Sequence, residues 1–131
     1  MIENFDKIWW EDSWLLGWER IDDKLTLYVD LHLLGNHPEF ELYDRKKDFG
    51  CYKTARLVVS GLQSVTGLPS SRHDLQWNEV MEEFKDVGDI DAINVEKEAS
   101  TLLMEVGAAC ASDCFRLEAE GCSIELVFEK F

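Results

Sequence analysis

Positive charge is scarce in this sequence of 131 residues. Against 27 Asp and Glu there are only 13 Lys and Arg, which gives a net charge of −14 at pH 7. A charge of that sign repels the phosphates of nucleic acids and anionic lipid surfaces, so we expect neither nucleic acid nor membrane as a partner. The same field attracts cationic proteins and speeds their association, although it can also serve solubility alone.

Long apolar segments are missing as well. The first residues, MIENFDKIWW, have neither a basic region nor a continuous apolar run, and no later stretch approaches the length of a membrane span. These absences predict a cytoplasmic protein. The chain has four cysteines, which we interpret as free thiols because a chain with its own core does not need disulfides.

The common signatures of enzymes and cofactor sites are absent too. The sequence contains no phosphate-binding loop, no dinucleotide fingerprint, no zinc-protease helix, no nucleophile elbow and no calcium loop. Cys110 and Cys114 form one close pair of candidate zinc ligands, whereas a structural zinc site usually shows two such pairs. We therefore predict no catalytic residue, no metal and no cofactor.

The sequence does contain segments in which apolar residues recur at every second position. From Leu25 to Leu33 every second residue is leucine or valine, which is the period of a strand with one buried face. Residues 53–62, KTARLVVSGL, predict a central strand partly covered on both faces. The segments IDAINVEKE and STLLMEVGA predict two more paired strands, and FRLEAEGCSIELVFE, residues 115–129, predicts a hairpin that turns at Glu120-Gly121.

One segment departs from this period. In SRHDLQWNEVMEEFKDVG the apolar residues from Trp77 to Phe84 recur at i, i+3, i+4 and i+7, which predicts a helix near 75–86 with a carboxylate ridge on its outer face. There is no linker and no internal repeat, so we expect a single domain over residues 1–131. The predicted fold is mainly β: an antiparallel β-sandwich or open barrel of six to seven strands with one amphipathic helix near 75–86.

Residues 8–18, IWWEDSWLLGW, hold four of the five tryptophans. If Asp12 to Arg20 is a strand, Trp14 and Trp18 share one side, and we expect both in the core. Trp9 and Trp10 cannot both face inward in an extended chain. At least one of them should therefore lie at a rim, where its N–H reaches water or a partner.

Polar residues on the reverse side of the leucine-rich strand form another candidate site. Tyr28, Asp30 and His32 point the same way, because residues i, i+2 and i+4 of a strand share a face. A carboxylate beside an imidazole can orient it as a general base. It can equally be a hydrogen-bonded pair on a wet sheet face, and the sequence leaves both interpretations open.

The layout resembles a known group of proteins. An early aromatic-x-Asp-Ser segment, here Trp10-Glu11-Asp12-Ser13, precedes an amphipathic strand pair, and the hairpin-like FRLEAEGCSIELVFE closes the chain. This resembles small bacterial β-rich proteins, some of which are immunity proteins of polymorphic toxin systems. The resemblance implies a cytosolic binding protein that occupies the surface of a toxin, and the acidic ridge agrees with it because nuclease toxins are usually basic.

Two functions are compatible with these features. The first is a non-enzymatic binding protein, an immunity-type inhibitor that docks a cationic protein such as a toxin domain through an acidic surface. The alternative is a carbohydrate-binding β-sandwich module whose exposed tryptophans stack on sugar rings. The sequence leaves the oligomeric state open. The candidate binding residues of the first function are Trp9, Trp10, Glu79, Glu82, Glu83, Asp86, Asp89 and Asp91.

Overall fold

A computed structural model describes residues 2–68, 88–96, 100–107 and 115–129. These residues form one 3₁₀ turn and eight strands: Phe5–Lys7, then β1 (Ile8–Ile21), β2 (Lys24–Leu33), β3 (Cys51–Ser60), β4 (Ser64–Thr66), β5 (Gly88–Glu96), β6 (Thr101–Val106), β7 (Phe115–Glu120) and β8 (Ser123–Phe128). The helix predicted near 75–86 lies outside the described residues. In the described parts of the chain, no helix is long and apolar enough to cross a membrane.

The strands form two antiparallel sheets that do not close into a barrel. Their hydrogen-bonded order is β4-β7-β6-β5-β1-β2-β3-β8. β5 joins the sheets, because Gly88 and Asp89 pair with β1 while the rest of the strand pairs with β6. The mainly β, antiparallel class is confirmed, but the prediction of six to seven strands is wrong. The strand that alternation does not reveal is β4, whose three residues are too short to show a period.

The core lies between the inner faces of the two sheets. The alternating apolar residues of β2, from Leu25 to Leu33, are at most 1% exposed, as their spacing predicts. Their counterparts on the second sheet include Leu102, Met104 and Leu117, which belong to the same cluster of buried residues. Burying each such side chain stabilises the fold by roughly 1.5–3 kcal/mol. β3 lies between β2 and β8, so the prediction of a central strand is confirmed.

The hairpin predicted at Glu120-Gly121 is wrong. β7 pairs with β4 and β6, whereas β8 pairs with β3, so the chain passes from one sheet to the other at Gly121. The Gly121 N–H donates to the carbonyl oxygen of Ser100 at 2.9 Å. A Cβ built on Gly121 would lie 2.6 Å from the carbonyl oxygen of Ser60. Glycine is therefore needed here for a close backbone approach rather than for a tight reversal.

Replacing Gly121 with alanine is expected to lower the free energy of unfolding by about 1–3 kcal/mol, because the added methyl group must push the chain away from Ser60. Gly35→Ala is the matched control, since a Cβ at Gly35 would meet nothing within 4 Å. Urea unfolding followed by tryptophan fluorescence measures both variants. An equal loss in the two would show that the contact with Ser60 does not matter.

The long loop 34–50 between β2 and β3 is tied to the rest of the fold. The Glu41 N–H donates to Cys51 Sγ at 3.4 Å, and Cys51 is a buried free thiol. His37 is only 5% exposed, and its Nδ1 accepts the Glu39 N–H at 3.0 Å. Burial lowers the pKa of His37 below its ordinary value, because desolvation disfavours the charged imidazole.

This lowered pKa predicts how stability depends on pH. As pH falls through the ordinary value of 6.5, the unfolded chain takes up a proton at His37 before the folded protein does. The free energy of unfolding should therefore decline below that pH, whereas the contribution of His37 is fully present above it. We expect the stability advantage of the wild type over His37→Asn to shrink between about pH 7.5 and about pH 5.5. Urea unfolding of both proteins checks this, and an advantage that stays constant would contradict it.

Candidate functional site

β1 departs from regular pairing with β2 at two places. Trp9 pairs with His32 and Trp14 with Asp30, so residues 10–13 of β1 lie opposite a single residue of β2. A second irregularity lies between Leu15 and Gly17, where Leu16 has no partner on β2. Each inserted residue changes the face to which the following side chains point. The two irregularities therefore decide which tryptophans reach the surface.

The tryptophans of β1 divide between the two faces of the sheet. Trp10 and Trp18 are buried in the core, whereas Trp9 is 49% exposed and Trp14 is partly exposed. The sequence predicts that at least one of Trp9 and Trp10 lies at the surface, and Trp9 does. The prediction that Trp14 joins Trp18 in the core is wrong, because the extra residue Leu16 puts the two on opposite faces.

Ser13 holds the larger irregularity together. Its side chain is fully buried, and its hydroxyl donates to the carbonyl oxygen of Trp9 at 2.9 Å. The Ser13 hydroxyl oxygen in turn accepts the backbone N–H of His32 at 3.0 Å. The Ser13 hydroxyl thus replaces backbone hydrogen bonds between β1 and β2 that the inserted residues interrupt. As a result, Asp12 is held beside the side chain of His32.

Asp12 is the centre of the candidate site. His32 Nδ1 lies 2.6 Å from Asp12 Oδ2, and the Tyr52 hydroxyl donates to the same oxygen at 2.7 Å. Because a carboxylate offers only acceptors, the imidazole is the donor in this bond. Within the described part of the chain, Asp12 Oδ1 accepts no hydrogen bond. The Asp12 side chain is 38% exposed, so a partner can reach the carboxylate.

Four rings pack one against the next, and the two in the middle belong to His32 and Tyr52, which bond to this carboxylate. The ring centroids of Trp9 and His32 are 5.2 Å apart, those of His32 and Tyr52 are 4.7 Å apart, and those of Tyr52 and Trp14 are 5.4 Å apart. Contacts at these distances hold the rings in place. We call these four residues and Asp12 the Asp12 cluster.

The electrostatic surroundings of the cluster are negative. Burial raises the pKa of Tyr52, and the bond to Asp12 and the nearby charges of Asp12 and Asp30 raise it further. The phenol therefore remains a donor to Asp12. The backbone of Asp89, another predicted site residue, pairs with that of Trp14 across β5 and β1.

His32 is poorly placed to act as a general base. A Cβ built on Gly50 would lie 2.8 Å from His32 Cε1, and nearer still to Nε2, so the loop backbone covers the ring on that side. The His32 side chain is 13% exposed. Its carboxylate partner is Asp12 rather than Asp30, the partner considered from the sequence. This geometry favours a structural role, in which the imidazole orients Asp12.

The remaining predicted site residues lie elsewhere. Trp10 is buried, with its ring centroid 5.1 Å from that of Phe5 and its Nε1–H donating to the Phe5 carbonyl oxygen at 3.1 Å. Tyr28 is buried and donates to Glu19 at 2.6 Å. Asp91 is half-buried in β5. Four predicted residues fall outside the described parts of the chain: Glu79, Glu82, Glu83 and Asp86.

Sequence reasoning missed Asp12, Ser13 and Tyr52 as members of the site. Asp12 and Ser13 stand in the tryptophan-rich segment, but only the irregular pairing of β1 brings them to His32. Comparison with known proteins adds no assignment: no protein-family model, curated protein or solved structure matches the chain.

Proposed function

We propose that this protein is a non-enzymatic binding protein that docks a cationic protein, and that the Asp12 cluster receives a lysine or arginine side chain of the partner. One observation carries the proposal. Asp12 presents a partly exposed carboxylate, with Oδ1 accepting no hydrogen bond from the described residues, and the His32 ring that bonds to it also packs against the half-exposed ring of Trp9, with centroids 5.2 Å apart. A carboxylate and an exposed indole that flank one imidazole ring can together receive an ammonium or guanidinium group.

The hydrogen bonds within the cluster support this role. His32 and Tyr52 both donate to Asp12 Oδ2, which fixes the carboxylate before a partner arrives. A side chain that is already ordered loses little conformational entropy on binding. Trp9 is rigid and large, and such residues frequently carry much of the energy of a protein interface. The cluster therefore has the features of an interaction hot spot.

The charge of the whole chain supports the same class of partner. A net charge of −14 steers cationic proteins toward the surface and raises their association rate. Within this proposal the protein is an immunity-type inhibitor that acts in the cytoplasm on a basic toxin domain. The acidic residues 79–91 would widen the contact, and their described part enters the sheet at Gly88, opposite Leu15 of β1.

The second candidate is a carbohydrate-binding module. The exposed ring of Trp9 favours it, because an indole can stack on a sugar ring while a carboxylate of the same cluster accepts a hydrogen bond from a hydroxyl group. A neutral sugar gains nothing from the negative charge around Asp12. Binding of a sugar should therefore resist salt, whereas docking of a cationic protein should weaken as salt rises.

Trp9→Ala tests the proposal with Ile21→Ala as its control, since Ile21 is 56% exposed on the same strand. Each immobilised protein is incubated with lysate of the source cells, and the captured protein is identified and purified. We expect a cationic protein whose affinity Trp9→Ala lowers by about 2 kcal/mol, roughly thirtyfold, and Ile21→Ala leaves nearly unchanged. Raised ionic strength should weaken the wild-type complex.

Two results would contradict the proposal. One is a captured partner whose affinity is the same for the wild type and Trp9→Ala. The other is salt-resistant retention on a polysaccharide resin that Trp9→Ala abolishes, which would establish the carbohydrate-binding alternative.

A further inference from the structure

The outer edge of β8 is a second candidate binding surface, and it shares no residue with the Asp12 cluster. β8 is the last strand of its sheet, and among the described residues it pairs with β3 alone. The Glu129 N–H donates to the carbonyl oxygen of Thr54, directly opposite on β3, at 3.0 Å. Successive residues of an antiparallel strand point their backbone groups alternately toward and away from the partner strand. The N–H and C=O groups of Leu126 and Phe128 therefore point away from β3.

There is room beside these backbone groups. Leu126 and Phe128 are only half-buried, and in the parts of the chain that the structure describes no backbone group bonds to them from outside. A cavity of about 450 Å³ is lined by Leu126, whose side chain faces the core, and by Glu125, whose side chain lies on the opposite face of β8. A cavity that touches residues of both faces follows the edge of the strand. The N-terminal residues 2–4 and the loop residues 37–39 complete its lining.

The two ends of the strand order differ in how they resist an added strand. β4, at the opposite end, has only three residues. β8 has six residues, with no proline, no register shift against β3 and no charged side chain on its inner face. Short strands, prolines, bulges and inward-pointing charges are the usual means by which proteins block such edges. β8 has none of these protections, so its backbone can pair with a further strand.

We propose that β8 binds an extended segment of a cationic protein, which adds to the sheet as an antiparallel strand. Residues of the segment that lie opposite Leu126 and Phe128 are apolar, because their side chains enter the cavity. The residue opposite Glu125 is lysine or arginine, since Glu125 is exposed and opposite charges in a cross-strand pair attract. A second copy of this chain fits less well, because both strands would carry Glu125 and each protein a net charge of −14.

Hydrogen exchange of the protein alone tests whether the edge is open. We expect the amides of Leu126 and Phe128 to exchange with water roughly tenfold faster, or more, than those of Glu125 and Val127, whose N–H groups face β3. NMR spectra recorded after transfer to deuterated water give the four rates. Equally slow exchange at all four amides would overturn the proposal, because the edge would then already be covered.

A synthetic peptide, acetyl-Lys-Val-Lys-Val-Lys-Val-Lys-amide, tests the pairing itself. In an antiparallel addition the valines lie opposite Leu126 and Phe128 and exchange backbone bonds with them, whereas the N–H groups of the lysines point away from β8. Methylating the backbone nitrogens of the valines should weaken binding by roughly tenfold or more, and methylating those of the lysines should change it little. NMR titration of the wild-type protein measures the three affinities, and the unmethylated peptide should slow exchange at Leu126 and Phe128.

A pair of variants locates the charge effect. Glu125→Lys and Glu118→Lys change the net charge equally, but Glu118 is exposed on β7, in the other sheet. We expect Glu125→Lys to bind the peptide roughly threefold more weakly than Glu118→Lys does. The proposal is overturned if the peptide gives no saturable shifts, if the two methylated peptides bind alike, or if the two variants behave alike. Dimerisation through β8 in the absence of peptide would overturn it as well, and would assign the edge to a second copy. Each of these results leaves docking at the Asp12 cluster unaffected.

Discussion

Ser13→Ala is expected to destabilise the protein by about 2–6 kcal/mol, because each buried polar group left without a partner costs roughly 1–3 kcal/mol. The Ser13 hydroxyl satisfies two such groups, the carbonyl oxygen of Trp9 and the N–H of His32. Alanine fills nearly the same space but offers neither a donor nor an acceptor. The side chain is fully buried, so water cannot take over the two bonds unless β1 moves.

The control is Ser123→Ala, the same substitution at an exposed position of β8. Urea unfolding gives the free energy for both variants, and His32 ring resonances in the NMR spectrum report the bond to Asp12. We expect Ser13→Ala to change both readouts and Ser123→Ala to change neither. If Ser13→Ala unfolds like the wild type, the irregularity in β1 does not depend on this hydroxyl.

The parts of the fold that were predictable are those in which pairing is regular. β2 and β3 pair without a shift from Leu25 opposite Val59 to Leu33 opposite Cys51, so alternation in the sequence maps directly onto burial. In such strands each apolar residue has the same position relative to the core as the residue two places away. The core residues of β2 follow from the sequence for this reason.

The parts that were not predictable depend on contacts between distant segments. Nothing local marks the two places where β1 breaks its register. The first brings Asp12 to His32, which is twenty residues away in sequence, and the second puts Trp14 and Trp18 on opposite faces. The turn at Gly121 looks like a hairpin because both flanking strands alternate. Only the tertiary partners of β7 and β8 assign them to different sheets.

The same irregularity connects fold and proposed function. In a regular strand, the residues that follow Trp9 would alternate between the core and solvent without gathering around one carboxylate. The inserted residues place Asp12 where both His32 and Tyr52 can donate to it, while Trp9 lies exposed against the His32 ring. A feature that costs regular backbone pairing is commonly kept because it directs a side chain to a site.

Asp12→Asn should accordingly have the largest effect on binding of any single charge removal among the described residues. We expect it to weaken the complex with the captured cationic partner by about 2–4 kcal/mol, roughly thirtyfold to a thousandfold. Asparagine keeps the shape of aspartate and a carbonyl oxygen that can still accept from Tyr52. The loss should therefore come from the missing charge rather than from collapse of the site, and the free energy of unfolding should change much less than in Ser13→Ala.

Asp22→Asn is the charge-matched control for this prediction. Asp22 lies in the turn between β1 and β2 with φ 53°, a left-handed conformation that asparagine also tolerates. Both variants change the net charge equally, so long-range attraction falls by the same amount, and a difference between them reflects contact at Asp12. Dissociation rates measured at two salt concentrations provide the test, because loss of a direct contact acts mainly on dissociation. If the two variants dissociate at the same rate, the negative field of the protein, and not Asp12, holds the partner.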